Sequence, residues 1–391
     1  MWYRRLLKPL IAFLTVVGNV GSVNAGWLDK MQSMWSEVAG KSQSLYEENW
    51  ASLPGTIRIC ATKELQEWIV KDVIESFKKK APLISVTIEA HGSGELVDAM
   101  NAGNTMQCDI LIPGSDVAAM RWKDYNIKNR IPVAYSPTVW VGDKEKFAAA
   151  REFLKKAADA SLSCSDLSQV AVQKRYSKIK QGGKGKLDLE MTTSNSGQSM
   201  YVSCVYSIVD ALDPEEVEDK LNKNPALEEQ VRTFFKEVIF QQDSTTTLTI
   251  KPEGQFVHPN GIGYKHLAIA TYESFLPQLE QEFTKQGKVM EVIYPSVIIL
   301  NNFPAVRITT EGKNGKATQA FMDYLLGADA QTALLQFGFR PANPKIDYSS
   351  YPVSKYFRND IEIGDAPATQ QLLRDLWDIV SNMPGVQTVK F

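Results

Sequence analysis

Residues 56–117 read TIRICATKELQEWIVKDVIESFKKKAPLISVTIEAHGSGELVDAMNAGNTMQCDILIPGSDV, and their hydrophobic pattern decides the fold. Thr56-Ile57-Arg58-Ile59-Cys60 reads as a strand. Leu65, Trp68, Ile69, Val73 and Phe77 then recur at helical spacing, predicting a helix over 63–80 with one apolar face. Ile84, Val86 and Ile88 alternate as a second strand over 84–90. A short helix over 95–102 precedes Asp109-Ile110-Leu111-Ile112, a third strand buried on both faces and stopped by Pro113-Gly114. Strands alternating with helices predict a parallel sheet covered by helices on both sides.

Outward from this unit the alternation continues. A long extended stretch is expected over 131–142, followed by a helix over 144–158 and a strand near 169–172. Helices over 200–212 and 226–240 and a strand over 266–271 complete a second α/β set. Gln181-Gly-Gly-Lys-Gly-Lys186 reads as a flexible loop. Extended chain over 289–293 and 297–308 leads to a helix over 316–337, and a last helix is expected near 368–381.

The first 25 residues have the layout of a secretory leader. Arg4, Arg5 and Lys8 precede the apolar run Leu10–Val17, and Val23-Asn24-Ala25 supplies the small residues a signal peptidase needs. The run is shorter than the ~20 residues that span a bilayer, and with the first cysteine at Cys60 no lipoprotein anchor is expected. Removing the leader changes 43 basic and 45 acidic residues to 40 and 45, about −5. That mildly acidic balance offers no field for nucleic acid. Residues 26–54 form an amphipathic helix with a linker. Its Trp27, Met31, Met34, Trp35 and Val38 are expected to pack on the body rather than meet a partner.

Four cysteines in an exported chain permit disulfides. Cys164 and Cys204 can pair. Cys60 and Cys108 are expected not to, since they fall at opposite ends of parallel neighbours, beyond the ~7 Å a disulfide tolerates. None has the spacing of a zinc site.

Three strand-to-helix turns share one chemistry: Ala61-Thr62-Lys63, His91-Gly92-Ser93-Gly94-Glu95 and Thr193-Ser194-Asn195-Ser196-Gly197-Gln198. In each, a hydroxyl residue placed to cap a helix start sits beside free backbone N–H groups, which suits a ligand oxygen or anion. Glycines at 92, 94, 114 and 197 let the backbone approach closely. In open α/β sheets, ligands occupy the crevice beyond the carboxyl ends of the strands.

The run from Thr56 to Val117 resembles the first lobe of periplasmic molybdate-binding proteins and their type II relatives. Gly92-Ser93-Gly94-Glu95-Leu96-Val97-Asp98-Ala99-Met100-Asn101-Ala102-Gly103 matches their G-S-S-G-like loop and "E-L-x-x-x-I-x-A-G" helix, and Cys108-Asp109-Ile110-Leu111-Ile112 matches their "D-V-x-I-S" strand. Further on, Thr193-Ser194-Asn195-Ser196-Gly197, Tyr294-Pro295-Ser296 and Leu335-Gln336-Phe337-Gly338-Phe339-Arg340-Pro341-Ala342-Asn343 look like segments of a bacterial solute-binding group that also occurs fused to von Willebrand A-type domains. The resemblance covers most of residues 56–345.

It implies an α/β fold of two Rossmann-like lobes with mixed, mostly parallel sheets joined by two crossing strands. Lobe one then takes 55–135 plus 305–345 and lobe two 136–304, with 346–391 a helical tail. It also implies a periplasmic protein that captures a small polar ligand, possibly an anion, by hinge closure. No cofactor and no metal are expected. The partners would be the ligand and a membrane permease complex of an ABC transporter, and the protein would be a monomer. Carried over, the contacts fall at Thr62, Ser93, Ser115, Ser196 and Tyr272, and the adjoining Lys63, Gly94, Asn195 and Gly197 complete the candidate ligand-binding set. The first turn, Ala61-Thr62-Lys63, departs from the family's usual serine. Lys63, Glu95 and Glu273 are expected in solvent rather than on the ligand.

Two alternatives compete. One is a protein-interaction or sensor module of the same fold with a vestigial cleft. The other is a secreted serine hydrolase using Ser196 with His258 or His266, but the G-x-S-x-G elbow it requires is absent. Iron ligation by Tyr272, Glu273, Tyr294 and His258 has no supporting spacing.

Overall fold

The computed structural model describes residues 26–42, 50–126, 130–172, 186–188, 195–239, 249–250, 256–257, 266–309 and 311–366. The leader, the 181–185 loop, Thr193, Ser194, His258 and the expected helix over 368–381 lie outside these residues.

Helix α1 (Gly26–Ser42) inserts Trp27 and Met31 into the main core, as its apolar spacing requires. Strand β1 (Gly55–Thr62) leads into helix α2 (Lys63–Trp68), which continues through a π-helical turn (Ile69–Ile74) into α3 (Glu75–Lys80). The expected face, Leu65, Trp68, Ile69, Val73 and Phe77, is completely buried. Next come β2 (Ile84–His91), α4 (Ser93–Asn101), β3 (Ile110–Ile112) and the short α5 (Asp116–Ala119).

The extended stretch over 131–142 is not one strand. It divides into β4 (Arg130–Pro132), β5 (Ala134–Tyr135) and β6 (Thr138–Asp143), because Pro132 and Pro137 have no N–H to continue a ladder. Helix α6 (Lys144–Leu154) stops at Lys155, which is left-handed. The strand expected near 169–172 is instead part of helix α7 (Cys164–Val172). Its start carries a reciprocal cap: the Asp166 N–H donates to Ser163 Oγ at 3.1 Å, and the Ser163 N–H donates to the Asp166 carboxylate at 2.7 Å. Ser163-x-x-Asp166 was the overlooked signal.

The chain continues through β7 (Lys186–Asp188), α8 (Asn195–Val209), α9 (Pro214–Lys223), α10 (Pro225–Ile239), the short pair β8 (Thr249–Ile250) and β9 (Phe256–Val257), and β10 (His266–Tyr272). Then follow α11 (Leu276–Lys285), β11 (Met290–Ile293), β12 (Val297–Ile299) and β13 (Pro304–Arg307). The helix expected over 316–337 is two, α12 (Gly312–Leu325) and α13 (Ala328–Leu334), since Gly327 is extended and starts the second. Strands β14 (Arg340–Pro341) and β15 (Glu362–Gly364) complete the described chain. Among the described residues no helix is long and apolar enough to cross a membrane.

Two mixed sheets result. The first has the order β2-β1-β3-β13-β4, with β1 parallel to β2 and β3, and β13 antiparallel to β3 and β4. The second has the order β11-β6-β10-β7. The chain crosses between them twice, and the crossings pair: Ser136 N–H donates to Asn301 C=O at 3.0 Å, and Val133 N–H to Phe303 C=O at 3.3 Å. Strand β14 pairs antiparallel with β5, and β15 lies parallel to β12.

Both cysteine pairs are bonded, Cys164–Cys204 and Cys60–Cys108. The second corrects the expectation. Cys108 does not extend β3; left-handed Met106 and Gln107 turn the chain back, bringing the Cys60 and Cys108 Cα atoms to 5.7 Å. At sequence separations of 48 and 40, loop-closure entropy gives each bridge about 4 kcal/mol.

Asp323 on α12 makes one testable point about stability. Its Oδ1 accepts from Gln319 Nε2 at 3.0 Å, while its buried Oδ2 has no partner. Burial raises its pKa from 3.8 to about 6. The native state therefore holds this proton more tightly than the unfolded chain, so the ionisation penalty is absent below pH ~3.8 and complete above pH ~6. Asp323→Asn is expected to stabilise the protein by about 1–2 kcal/mol at pH 7.5 and by much less at pH 4.5, after allowing for solvent screening. Urea unfolding at the two pH values measures this; equal effects at both would refute it.

Candidate ligand-binding site

The parallel strands β1, β2 and β3 deliver Thr62, Ser93 and Gly114-Ser115 to one edge of the first sheet. From the other side, the first turn of α8 brings Asn195-Ser196-Gly197 and the end of β10 brings Tyr272. These groups meet. Ser93 Oγ accepts from the Gly114 N–H at 2.9 Å and lies 3.4 Å from Thr62 Oγ1. Ser115 Oγ accepts from the Ala118 N–H at 3.1 Å and donates to Asn195 Oδ1. Asn195 Nδ2 donates to the Tyr272 hydroxyl at 2.8 Å and to Asn301 Oδ1 at 2.9 Å. Ser115 and Asn195 stand on opposite sides of the crossings, so one hydrogen bond spans the crevice.

Thr62, Ser93, Ser115, Asn195 and Tyr272 are all buried. Gly197 is buried in the first turn of α8, Ser196 and Gly94 are half-buried, and Lys63 is exposed at the rim. Two hydroxyls do not act as expected. Thr62 is the N-cap of α2 and Ser93 the first residue of α4, yet neither caps its helix. Thr62 donates to the Glu64 carboxylate instead, and Ser93 holds the Gly114 turn. Burial pushes the Tyr272 hydroxyl well above its ordinary pKa, so it remains a neutral donor and acceptor.

Asn301 is the hub that sequence reading missed. It is fully buried, accepts from Asn195 and from Ser199 Oγ at 2.6 Å, and donates to Thr138 Oγ1 at 2.8 Å and to Ser136 C=O at 3.0 Å. Two adjacent asparagines, Asn301-Asn302, inside an otherwise apolar extended run were the available signal, since buried amides are retained where they are hydrogen-bonded. Asn302 clamps Asp116, receiving its N–H at 3.0 Å and donating to its carboxylate at 2.7 Å; Arg130 completes that carboxylate at 2.9 Å.

Of the three charges expected in solvent, Lys63 is there, and Glu95 accepts the Gly92 N–H at 2.8 Å at the start of α4. Glu273 is the correction. It is 1% exposed and receives two 2.6 Å hydrogen bonds from Arg340, plus one from the Tyr294 hydroxyl. Arg340 is stacked between Trp27 of α1, 4.2 Å from its ring centre, and Phe357 at 4.9 Å. The charge is buried because its counter-ion arrives from 67 residues away.

Beside Thr62 a cavity of about 230 Å³ opens, lined by Lys63, Glu64, Ser274, Phe275 and Phe337 among others. Among the described residues one group, Cys60 with Glu89 and His91, is close enough for a shared metal, but Cys60 is tied in a disulfide. Of the hydrolase residues, Ser196 lies in the first turn of α8 and His266 begins β10.

A family model described as bacterial extracellular solute-binding protein matches residues 57–340. No curated protein matches this chain. Among solved structures, the GacH receptor of Streptomyces glaucescens, determined unliganded and with acarbose, is 14% identical; the alignment covers 84% of this chain and 94% of that one at a TM-score of 0.56. Iron-bound HitA from Pseudomonas aeruginosa is also 14% identical, with 83% and 99% covered at 0.52. The cyclic α-maltosyl-1,6-maltose binding protein from Arthrobacter globiformis is 11% identical, with 84% and 93% covered at 0.52. At such identities the likeness is one of fold, and ligands as unlike as iron and oligosaccharides share it.

Proposed function

The chain belongs to the bacterial extracellular solute-binding protein family, and from that membership we propose that it captures a small polar ligand between its two lobes by hinge closure in the periplasm. The family consists of binding proteins that work with ABC transporters, not enzymes. The observation that carries the reading is the Ser115–Asn195 hydrogen bond across the crevice, at the carboxyl ends of β1, β2 and β3. Strand ends and a helix start from opposite lobes converge there, and contacts made only when the lobes meet are what let a ligand select a closed state. The hinge falls at residues 133–137 and 300–303, where the two crossings pair. Lobe one is 55–135 plus 305–345, and lobe two is 136–304.

The binding residues are Thr62, Ser93, Ser115, Asn195, Ser196, Gly197 and Tyr272, with Lys63 and Gly94 at the rim. Residues 1–25 act as the export signal, and a monomer delivers the ligand to a membrane permease. A second reading, a sensor or protein-interaction module with a vestigial cleft, is favoured by the same hydrogen bond, because the crevice groups already satisfy one another without a ligand.

Thermal-shift screening against oxyanions, metals, amino acids, polyamines and sugars separates the two. A ligand present at 100 times its dissociation constant adds about 2.7 kcal/mol of stability. Ser93→Ala combined with Asn195→Ala is expected to abolish that shift while the unliganded protein still melts cooperatively. If no compound raises the melting temperature, the vestigial-cleft reading stands and capture fails.

A further inference from the structure

The cavity beside Glu64 combines aromatic side chains with an excess of negative charge. Phe275, Phe337 and Phe339 line it, together with Glu64, Glu67 and one cation, Lys63, of α2. Ser274 also lines it; the residue is 2% exposed and its hydroxyl has no hydrogen-bond partner. The two carboxylates buried around the crevice and hinge each hold an arginine, Asp116 with Arg130 and Glu273 with Arg340, whereas Glu64 is half-buried. Glu64 holds none among the described residues. Its hydrogen bond comes from the neutral Thr62 hydroxyl, and the Lys63 side chain is exposed. Burial raises the Glu64 pKa above the ordinary carboxylate value, against the lowering effects of Thr62, its own backbone and Lys63. A carboxylate desolvated this way gains most from a cation brought to it.

We propose that the ligand is a small organic cation, an amine or guanidinium compound, whose charged end seats against Glu64 between the aromatic walls, with the Ser274 hydroxyl accepting one of its N–H groups. The carboxylate supplies the Coulomb attraction, and the ring faces attract the same charge through their quadrupoles. A volume of about 230 Å³ suits a molecule of diamine or amino-acid size rather than an oligosaccharide. The cavity adjoins the crevice through Lys63 and the Thr62–Glu64 hydrogen bond, so this inference rests on ligand capture in that crevice, and it reverses the sign that the molybdate resemblance suggests.

Titration calorimetry on the full chain decides it, with putrescine and agmatine as cationic probes and sulfate and maltose as counter-probes. At least one cationic probe is expected to bind, Glu64→Gln to weaken it by tenfold or more, and Ser274→Ala to weaken it a few-fold, both variants keeping the wild-type melting temperature. Failure of both cationic probes, or unchanged binding by Glu64→Gln, overturns the inference. Sulfate or maltose binding that Ser93→Ala with Asn195→Ala removes and Glu64→Gln leaves intact also overturns it, while leaving ligand capture in the crevice standing.

Discussion

Replacing Arg340 by alanine is expected to cost about 3–5 kcal/mol of stability, a reduction of a hundredfold or more in the folded-to-unfolded ratio. Glu273 is 1% exposed and its two oxygens are committed to the guanidinium at 2.6 Å. Once Arg340 is removed, the carboxylate must either stay buried without a counter-ion or take up a proton. The loss is compounded because the guanidinium also donates to the Arg358 C=O at 2.8 Å and fills the gap between Trp27 and Phe357. That one side chain joins the residue after β10, the N-terminal helix and the segment after β14. Arg340→Lys is expected to lose most of the same energy, since an ammonium neither forms the paired bonds nor stacks as a planar group. Arg340→Met with Glu273→Leu should recover much of it, because exchanging both charges for apolar side chains removes the desolvation cost along with the attraction. Urea unfolding with unchanged m-value measures the series. A loss under 1 kcal/mol for Arg340→Ala would mean that water reaches the pair.

The second large effect is on closure. Gly114→Val would place a Cβ 2.6 Å from Asn195 Nδ2 and 3.0 Å from Ser93 Oγ. Neither neighbour yields easily, because Asn195 is held by Ser115, Tyr272 and Asn301, and Ser93 by the Gly114 N–H itself. Overpacking of this kind costs about 1–3 kcal/mol. The Asn195 part of that cost falls on the state in which α8 approaches β3, whereas the Ser93 contact lies within the first lobe and persists in an open form. Ligand affinity should drop by about 5- to 150-fold, and solution scattering should give a larger radius of gyration than the wild type. Only the Ser93 contact burdens the first lobe by itself, so the melting transition should remain cooperative. Wild-type scattering together with wild-type affinity in Gly114→Val would show that this contact does not hold the lobes together.

Much of the first sheet was legible because its signals are local. A period of two marks β1 and β2, a period of 3.6 marks the helix after β1, and Pro113-Gly114 ends β3. The misreadings share a cause. The α7 helix reads as a strand because Val170-Ala171-Val172 is a short apolar run without helical spacing, and its start is fixed by the Ser163–Asp166 cap rather than by periodicity. Cys60 and Cys108 were held apart because strand register was extended past Gln107, and a left-handed non-glycine pair gives no sign in the sequence that the chain turns there. At the site, the hydroxyl-bearing turns were legible as chemistry, but the partners of those hydroxyls were not.

The amino-acid order alone determined the strands and helices of residues 56–112, that they alternate, and that small polar residues collect at strand ends, since each depends on neighbours within a turn or two. Only the folded chain decided that Asn195 reaches Ser115 and Asn301, that Glu273 is buried against Arg340, and that Glu64 has no ion pair among the described residues. Hydrogen bonding and desolvation depend on distance through space, and groups 80, 106 or 67 residues apart acquire that distance only after the lobes have packed.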